Sequence, residues 1–430
     1  MWLSIQAKSP IWYFDATGSI IKKIAKQSLP YLYSIVTHDE STKSIIPIAE
    51  FITTSHTSLS ISNELNYIRD TLNTKILSAR KKCLPAILVT DFSWALINAV
   101  MKSLNNCSIV EYINWTYDVL CNKKLYLQDA MYTIHYICAV HFLRIIIKKA
   151  KNEAGNNKDM LKRFIFTFTI IQNATSFDKL EKTFKDLFNL FCQHNKNDLF
   201  NESLNTITIE LSNRGANVID FDSEPEKNGK ECLRKENVFF SKENSKTIKE
   251  NSLFEKHFKD LFNECMKNRS QFDTSKLVNP YFSPGNFKII LDYMYLAPLW
   301  TGIMIGFWQK SSYNQIRFTR LFNNVVENYF GHIKNNLNIN EVFPSELAAT
   351  FYERLQVKYF SYYDVQEKKP IEATKLFEKL ERWQRTKNYK RDKGFYYKSF
   401  DFNHLNDTYE NKGVSTEQMV DISQLFGVKG

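Results

Sequence analysis

The sequence predicts an α/β core interrupted by a long all-helical stretch, and three observations carry that reading. Over residues 1–154, short β-branched and aromatic runs alternate with amphipathic helices. From 155 to 285 the strand period disappears, and Phe/Leu stripes at helical spacing replace it. Regular patterning returns over 286–340 and is followed by a helical, basic and aromatic extension over 341–430.

Taken in order, Ile11-Trp12-Tyr13-Phe14 reads as a first strand stopped at Asp15. Ala16-Thr17-Gly18-Ser19 reads as a turn in which Gly18 can take positive φ. A strand over 20–24 is expected to return antiparallel to the first, followed by strands over 30–36 and 45–53. Residues 59–76 form an amphipathic helix, and 85–90 a buried strand ending at Asp91. Ser93 is placed to cap the helix that runs to Leu104. The apolar run 131–140 reads as a further strand, turning into a basic helix over 141–149.

Within the helical stretch, Phe177, Leu180, Phe184, Leu187, Phe188 and Phe191 make one apolar stripe. The nonapeptide EKTFKDLFN at 181–189 recurs as EKHFKDLFN at 255–263, with His257 where the first copy has Thr183. Two copies do not make a solenoid; they read as two similar amphipathic helices, or as a local duplication. Residues 222–249, rich in Glu, Lys, Asn and Ser, have little to bury and are expected to form a disordered loop. The most apolar stretch, 293–308, contains Pro298 and Gly302 and is shorter than the ~18 residues of a membrane span. A helix over 317–335 follows it.

Composition narrows the function. Hydrophobic residues make up 43% and aromatics 14%, with 33 Phe and 22 Tyr against 12 Gly, which excludes fibrous and wholly disordered chains. Lys and Arg exceed Asp and Glu by 57 to 46, a net +11 that favours a polyanionic partner. The seven cysteines are odd in number and lack CxxC spacing, which fits reduced intracellular thiols. No basic-then-apolar secretory signal opens the sequence, so a soluble chain with no membrane partner is expected. Between Glu378 and Lys398, eight basic and three acidic residues interleave with Trp383, Tyr389, Phe395, Tyr396 and Tyr397. Arg382, Arg385, Lys387, Lys390 and Arg391 are therefore candidate DNA contacts; a solvated helix face with a tail is the bland alternative.

Three acids stand out by position: Asp15 and Asp91 each end a strand, and Glu327 lies inside the helix after the helical stretch. Strand ends are where α/β proteins build sites. Carboxylates are hard oxygen ligands for Mg²⁺ or Mn²⁺, and two such ions ~3.5–4 Å apart can cleave or transfer a phosphodiester.

The runs Tyr13-Phe14-Asp15-Ala16-Thr17-Gly18, Val89-Thr90-Asp91 leading into Ala95-Leu96-Ile97-Asn98-Ala99, and Asn323-Asn324-Val325-Val326-Glu327-Asn328-Tyr329-Phe330 with Lys334 resemble the three acidic motifs of eukaryotic DDE transposases. The Mutator-like group is the nearest. Cys138-Ala139-Val140-His141 resembles the CxxH signature that such enzymes carry after their second Asp. The resemblance covers about 11–336. It implies a ribonuclease H-like mixed sheet with an all-α insertion, a nuclear protein acting on double-stranded DNA, a tendency to homodimerise, and hydrolysis followed by strand transfer. Asp15, Asp91 and Glu327 would bind metal, while Cys138 and His141 would line or brace the site. Asn324 and Lys334 would order the Glu327 helix or contact phosphates. Zinc is not expected as the cofactor, because a tetrahedral site needs four ligands and no second pair lies at comparable spacing.

The family also implies an N-terminal zinc-containing DNA-binding domain, whereas this chain starts about ten residues before its first strand. A truncated copy, a fragment and a domesticated protein are the open readings. The alternative of another class is a non-catalytic, transposase-derived DNA- or chromatin-binding protein. A ribonuclease H-like 3′–5′ exonuclease would present Asp-x-Glu on the first strand, where this chain has Thr17.

Overall fold

A computed structural model describes residues 9–18, 20–23, 28–39, 44–75, 84–121, 133–154, 157–212, 242–269, 277–312, 319–336 and 342–353. By contacts the chain divides into two compact units, one of Met1–Ala16 with Tyr33–Glu327 and one of Thr17–Leu32 with Asn328–Gly430.

The first unit is built on a five-stranded mixed sheet of order β3-β2-β1-β4-β5. Its strands are β1 (Ile11–Thr17), β2 (Tyr31–Asp39), β3 (Ser44–Thr53), β4 (Ile87–Thr90) and β5 (Ile134–Ile137). β1 pairs in parallel with β4, and β4 in parallel with β5. Every residue of β4 and β5 is buried, as expected of parallel strands covered on both faces. Among their polar side chains, Thr90 Oγ1 and His135 Nε2 lie 2.7 Å apart inside the sheet. The antiparallel strand expected over 20–24 is not formed among its described residues, 20–23. Among its described residues Ile21 makes one parallel bridge to Val342, and β1 instead has β2 and β4 as neighbours. Two apolar residues followed by Lys22 and Lys23 supply too little to bury for a ladder.

Beside the sheet lie α1 (Ser58–Lys75), α2 (Trp94–Val100) and α3 (Ile109–Cys121). The α2 helix runs on into a π turn, Met101–Asn105, which ends at Asn106 with a left-handed φ of 51°. Ser93 occupies the N-cap of α2, but its side chain makes no capping hydrogen bond. β5 feeds α4 (Ala139–Ala154), and then come α5 (Lys158–Gln172), α6 (Phe177–Cys192), α7 (Asp198–Ser212), α8 (Lys242–Asn251) and α9 (Leu253–Arg269). The α8 helix corrects the loop expected over 222–249: residues 242–249 are helical, and 222–241 lie outside the described residues. Ile248 is buried and Lys249 pairs with Asp292 at 2.8 Å, contacts that a composition count cannot foresee.

The two nonapeptide copies sit on α6 and α9 and pack against each other at equivalent positions. Phe184 meets Phe258 with ring centroids 5.0 Å apart, and Phe188 meets Phe262 at 5.7 Å, so the helices run in the same direction here. His257, the one changed residue, places Nε2 2.7 Å from Glu181 Oε1.

The apolar run that follows is broken into α10 (Pro284–Leu291), a 3₁₀ turn (Met294–Leu296), α11 (Ala297–Trp300) and α12 (Ile303–Ser312). By length and composition Pro284–Lys310 could cross a membrane, but 89% of its most apolar window is buried inside the protein. Trp300 stacks on Phe142 of α4 at 5.1 Å and on Phe168 of α5 at 5.3 Å. Gly306 lets α12 approach the segment before α6 closely: a Cβ there would sit 2.0 Å from the Thr175 carbonyl oxygen. The unit ends in the first turn of α13 (Asn324–Gly331).

In the second unit, α13 passes into a π turn, His332–Asn336. Lys22 N donates to Val342 O at 2.9 Å and Val342 N to Ile20 O at 3.1 Å. The Lys22 ammonium lies 5.0 Å from the centre of the Phe343 ring.

Candidate active site

The parallel register places Phe14, Thr90 and Ile137 in one row across β1, β4 and β5. The next residue on each chain is Asp15, Asp91 and Cys138 respectively. Adjacent strands lie ~4.8 Å apart, so three motif residues that are remote in sequence become backbone neighbours at one sheet end. Cys138 N donates to Thr90 O at 2.7 Å, continuing the ladder by one step. Asp15 Oδ1 accepts from the amide of Ala16 at 2.7 Å.

His141 arrives from the first turn of α4, which starts directly after Cys138. The next residue, Phe142, is fully buried in the Trp300 stack and fixes the rotation of the helix. His141 Nδ1 lies 2.6 Å from Asp91 Oδ1, an ion-pair contact without the alignment of a good hydrogen bond. On its other side, His141 Nε2 is 3.5 Å from Glu327 Oε1. One imidazole therefore spans the gap between the two carboxylates.

Glu327 is brought there by a backbone clasp. Leu321 O accepts from Ala139 N at 3.0 Å, and Asn323 N donates to Cys138 Sγ at 3.2 Å. Asn323 then starts α13, its carbonyl accepting from Glu327 N at 3.1 Å, while its side-chain Nδ2 donates to Asp91 Oδ1 at 3.2 Å. Residues four apart share a helix face, so Asn323 and Glu327 reach the same site. The Glu327 side chain is 44% exposed and stands at the rim, against 18% for Asp91 and 23% for His141.

Charge is concentrated here. Burial and the nearby charge of Asp91 hold the Asp15 carboxyl well above its ordinary range, with a smaller push from Glu327; the Ala16 amide and His141 oppose them. Burial works against a charged His141, but Asp91 and Cys138 beside it prevail and raise its pKa to about 11. The imidazole thus stands between two carboxylates. Potential ligand atoms of Asp91, Cys138 and His141 all lie within 4.8 Å of one another.

Of the candidate DNA contacts, Asn324 is exposed at the start of α13, and Lys334 donates to Thr17 Oγ1 at 2.7 Å within the second unit. Arg382, Arg385, Lys387, Lys390 and Arg391 lie outside the described residues. Sequence reasoning missed Asn323, whose signal was its four-residue spacing from Glu327. It also missed Gln172, a buried amide that donates to Ala139 O at 3.2 Å and steadies the start of α4.

No protein-family model matches the chain. Over 175 residues it is 29% identical to the 120.7 kDa protein in the NOF-FB transposable element of Drosophila melanogaster. The match takes in 39% of this chain and 15% of that protein, so the chain spans a small part of the relative's length. This similarity to a transposable-element protein suggests a transposon-derived origin.

Proposed function

We propose that the chain is a transposase-type catalytic core that cleaves and joins strands of double-stranded DNA in the nucleus, on a ribonuclease H-like sheet and with Mg²⁺ or Mn²⁺. The observation that carries this reading is the convergence of Asp91, His141 and Glu327, with Asp15 in the adjacent strand of the same register row. A ribonuclease H-like core requires the Asp15 and Asp91 strands to be sheet neighbours and the Glu327 helix to reach them. The similarity to a transposable-element protein supports the same reading.

The proposed donor set suits a hard divalent cation: three carboxylates supply only oxygen, and the burial and nearby Asp91 charge that disfavour an ionised Asp15 are what such a cation offsets. Asp15, Asp91 and Glu327 would hold it. When bound, a pair of such ions activates the attacking oxygen and stabilises the leaving one. The chain's own groups prepare that arrangement. Asn323 fixes the Asp91 rotamer, and His141 holds Asp91 and Glu327 at a set separation while balancing their charge. Glu327, at the rim, is the acid best placed to meet an incoming phosphodiester.

The test is nicking of supercoiled plasmid DNA in Mg²⁺ or Mn²⁺, beside Asp91→Ala. Metal-dependent nicking that falls roughly 1000-fold or more in the variant is the expected result. DNA binding with no nicking in either protein would replace the enzyme with a binding protein of transposase descent.

A further inference from the structure

Cys138 takes no part in the carboxylate site, yet the structure builds it into the same cluster. It is fully buried, its amide is held by Thr90 O, and its Sγ accepts the Asn323 amide at 3.2 Å. His141 follows three residues later, and Phe142 N donates to Cys138 O at 3.0 Å, so one helical turn fixes the thiol and imidazole relative to each other. Neither group gains from a hard cation that prefers oxygen.

We propose that Cys138, His141 and Asp91 form a second site, for a thiophilic divalent cation of the zinc type, which shares Asp91 with the carboxylate site and excludes its use. The three ligand atoms already lie within 4.8 Å of one another. Bonds of ~2.0–2.3 Å to a tetrahedral ion set ligand separations of about 3.5 Å, so closure needs side-chain shifts of about 1 Å. Sulfur, nitrogen and one carboxylate oxygen make a borderline-soft donor set. Water completes the tetrahedron from the open side, where Asp91 and His141 keep 18% and 23% of their surface. The Asn323 amide on Sγ supports the thiolate from outside the ligand shell. Cys138 and His141 would both bind the ion in their deprotonated forms. With Asp91 engaged, Asp15 and Glu327 are left without their central partner, and the ion acts as an off-switch. That consequence rests on the function proposed above; the binding rests on the cluster alone.

The test uses the full-length, reduced, metal-stripped chain titrated with Co²⁺ as a coloured stand-in for Zn²⁺. One Co²⁺ per chain with a thiolate-to-cobalt charge-transfer band is expected, bleached by Zn²⁺ but not by excess Mg²⁺. Cys138→Ser should abolish the band and weaken Zn²⁺ binding by at least about 10–100-fold, while Cys265→Ser, a free cysteine outside the cluster, should leave both intact. If Cys138→Ser loses its circular dichroism, His141→Gln carries the same expectation. A wild-type chain with no thiolate band, a band that survives removal of Cys138, or one lost in Cys265→Ser would overturn the proposal. The thiolate band without Mg²⁺- or Mn²⁺-dependent nicking would overturn the proposed function and leave this site standing; nicking without the band would do the reverse.

Discussion

The strand-end site and the paired helices α6 and α9 belong to the same compact unit but solve opposite problems. In the helix pair, Phe184, Phe188, Phe258 and Phe262 close on one another and on Phe287, so shape alone stabilises the arrangement. At the strand ends, burial and the nearby charge of Asp91, with a smaller push from Glu327, disfavour an ionised Asp15, and folding of the rest has to impose that arrangement. Stability therefore accumulates in one region and is given up in the other, which is how a site for binding or chemistry differs from a core.

Four changes would break or sharpen that contrast, from the largest effect to the smallest. Phe188→Ala should destabilise the chain by about 3–5 kcal/mol, because it opens a cavity between α6, α9 and α10. Chemical denaturation would measure the loss; one below about 1 kcal/mol would show that the helix pair is not a cohesive core.

His135 comes next. Burial drives its pKa from 6.5 down to about 3. Its neutral form stabilises the sheet fully above pH 6.5, and that stability is lost as the pH falls through that value toward 3, by roughly 2–4 kcal/mol. Melting curves of His135→Gln, which can keep a hydrogen bond to Thr90, should depend less on pH across this window than those of the wild type. Parallel curves for the two proteins would refute the assignment.

Asp15→Asn should raise the melting temperature by a few degrees in chelator at neutral pH, in contrast to the Phe188 change, since it removes a carboxyl that burial and Asp91 disfavour. The sign follows from the raised pKa: the penalty is absent below the ordinary value of 3.8 and grows as the pH rises above it, so the gain should vanish in acid. Destabilisation by this variant at pH 7 would mean that the acids are not in conflict. The smallest contrast concerns two helix caps. Ser176 Oγ accepts from Lys179 N at 3.2 Å, so Ser176→Ala should cost about 1 kcal/mol. Ser93→Ala should change less than about 0.5 kcal/mol, because the Ser93 side chain caps nothing. Equal losses would show that one of the two assignments is wrong.

How far the site could be read in advance depended on which signals are local. Asp15, Asp91 and Cys138 were legible because each follows an apolar strand run, and strand ends are fixed by a few residues. Their shared register row was not, because pairing of parallel strands depends on crossovers of many residues. The partner of Asp91 on α13 is Asn323 and not Asn324, a distinction set by where the helix starts. Ile20 and Ile21 suggested a strand by type, and the second unit used them elsewhere. Residues 242–249 looked too polar to order, but one buried Ile248 and the ion pairs of Lys249 with Asp292 and Glu255 were enough to dock a helix.

The clasp of Leu321 and Asn323 onto Ala139 and Cys138 separates chain length from site geometry. Glu327 takes its position from four residues of helix counted from Asn323, and not from the 185 positions that separate Asn323 from Cys138. Between Asn323 and Glu327 the spacing is fixed by the helix: one inserted residue would swing the carboxylate about 100° around the helix axis and take it out of phase with Asp91.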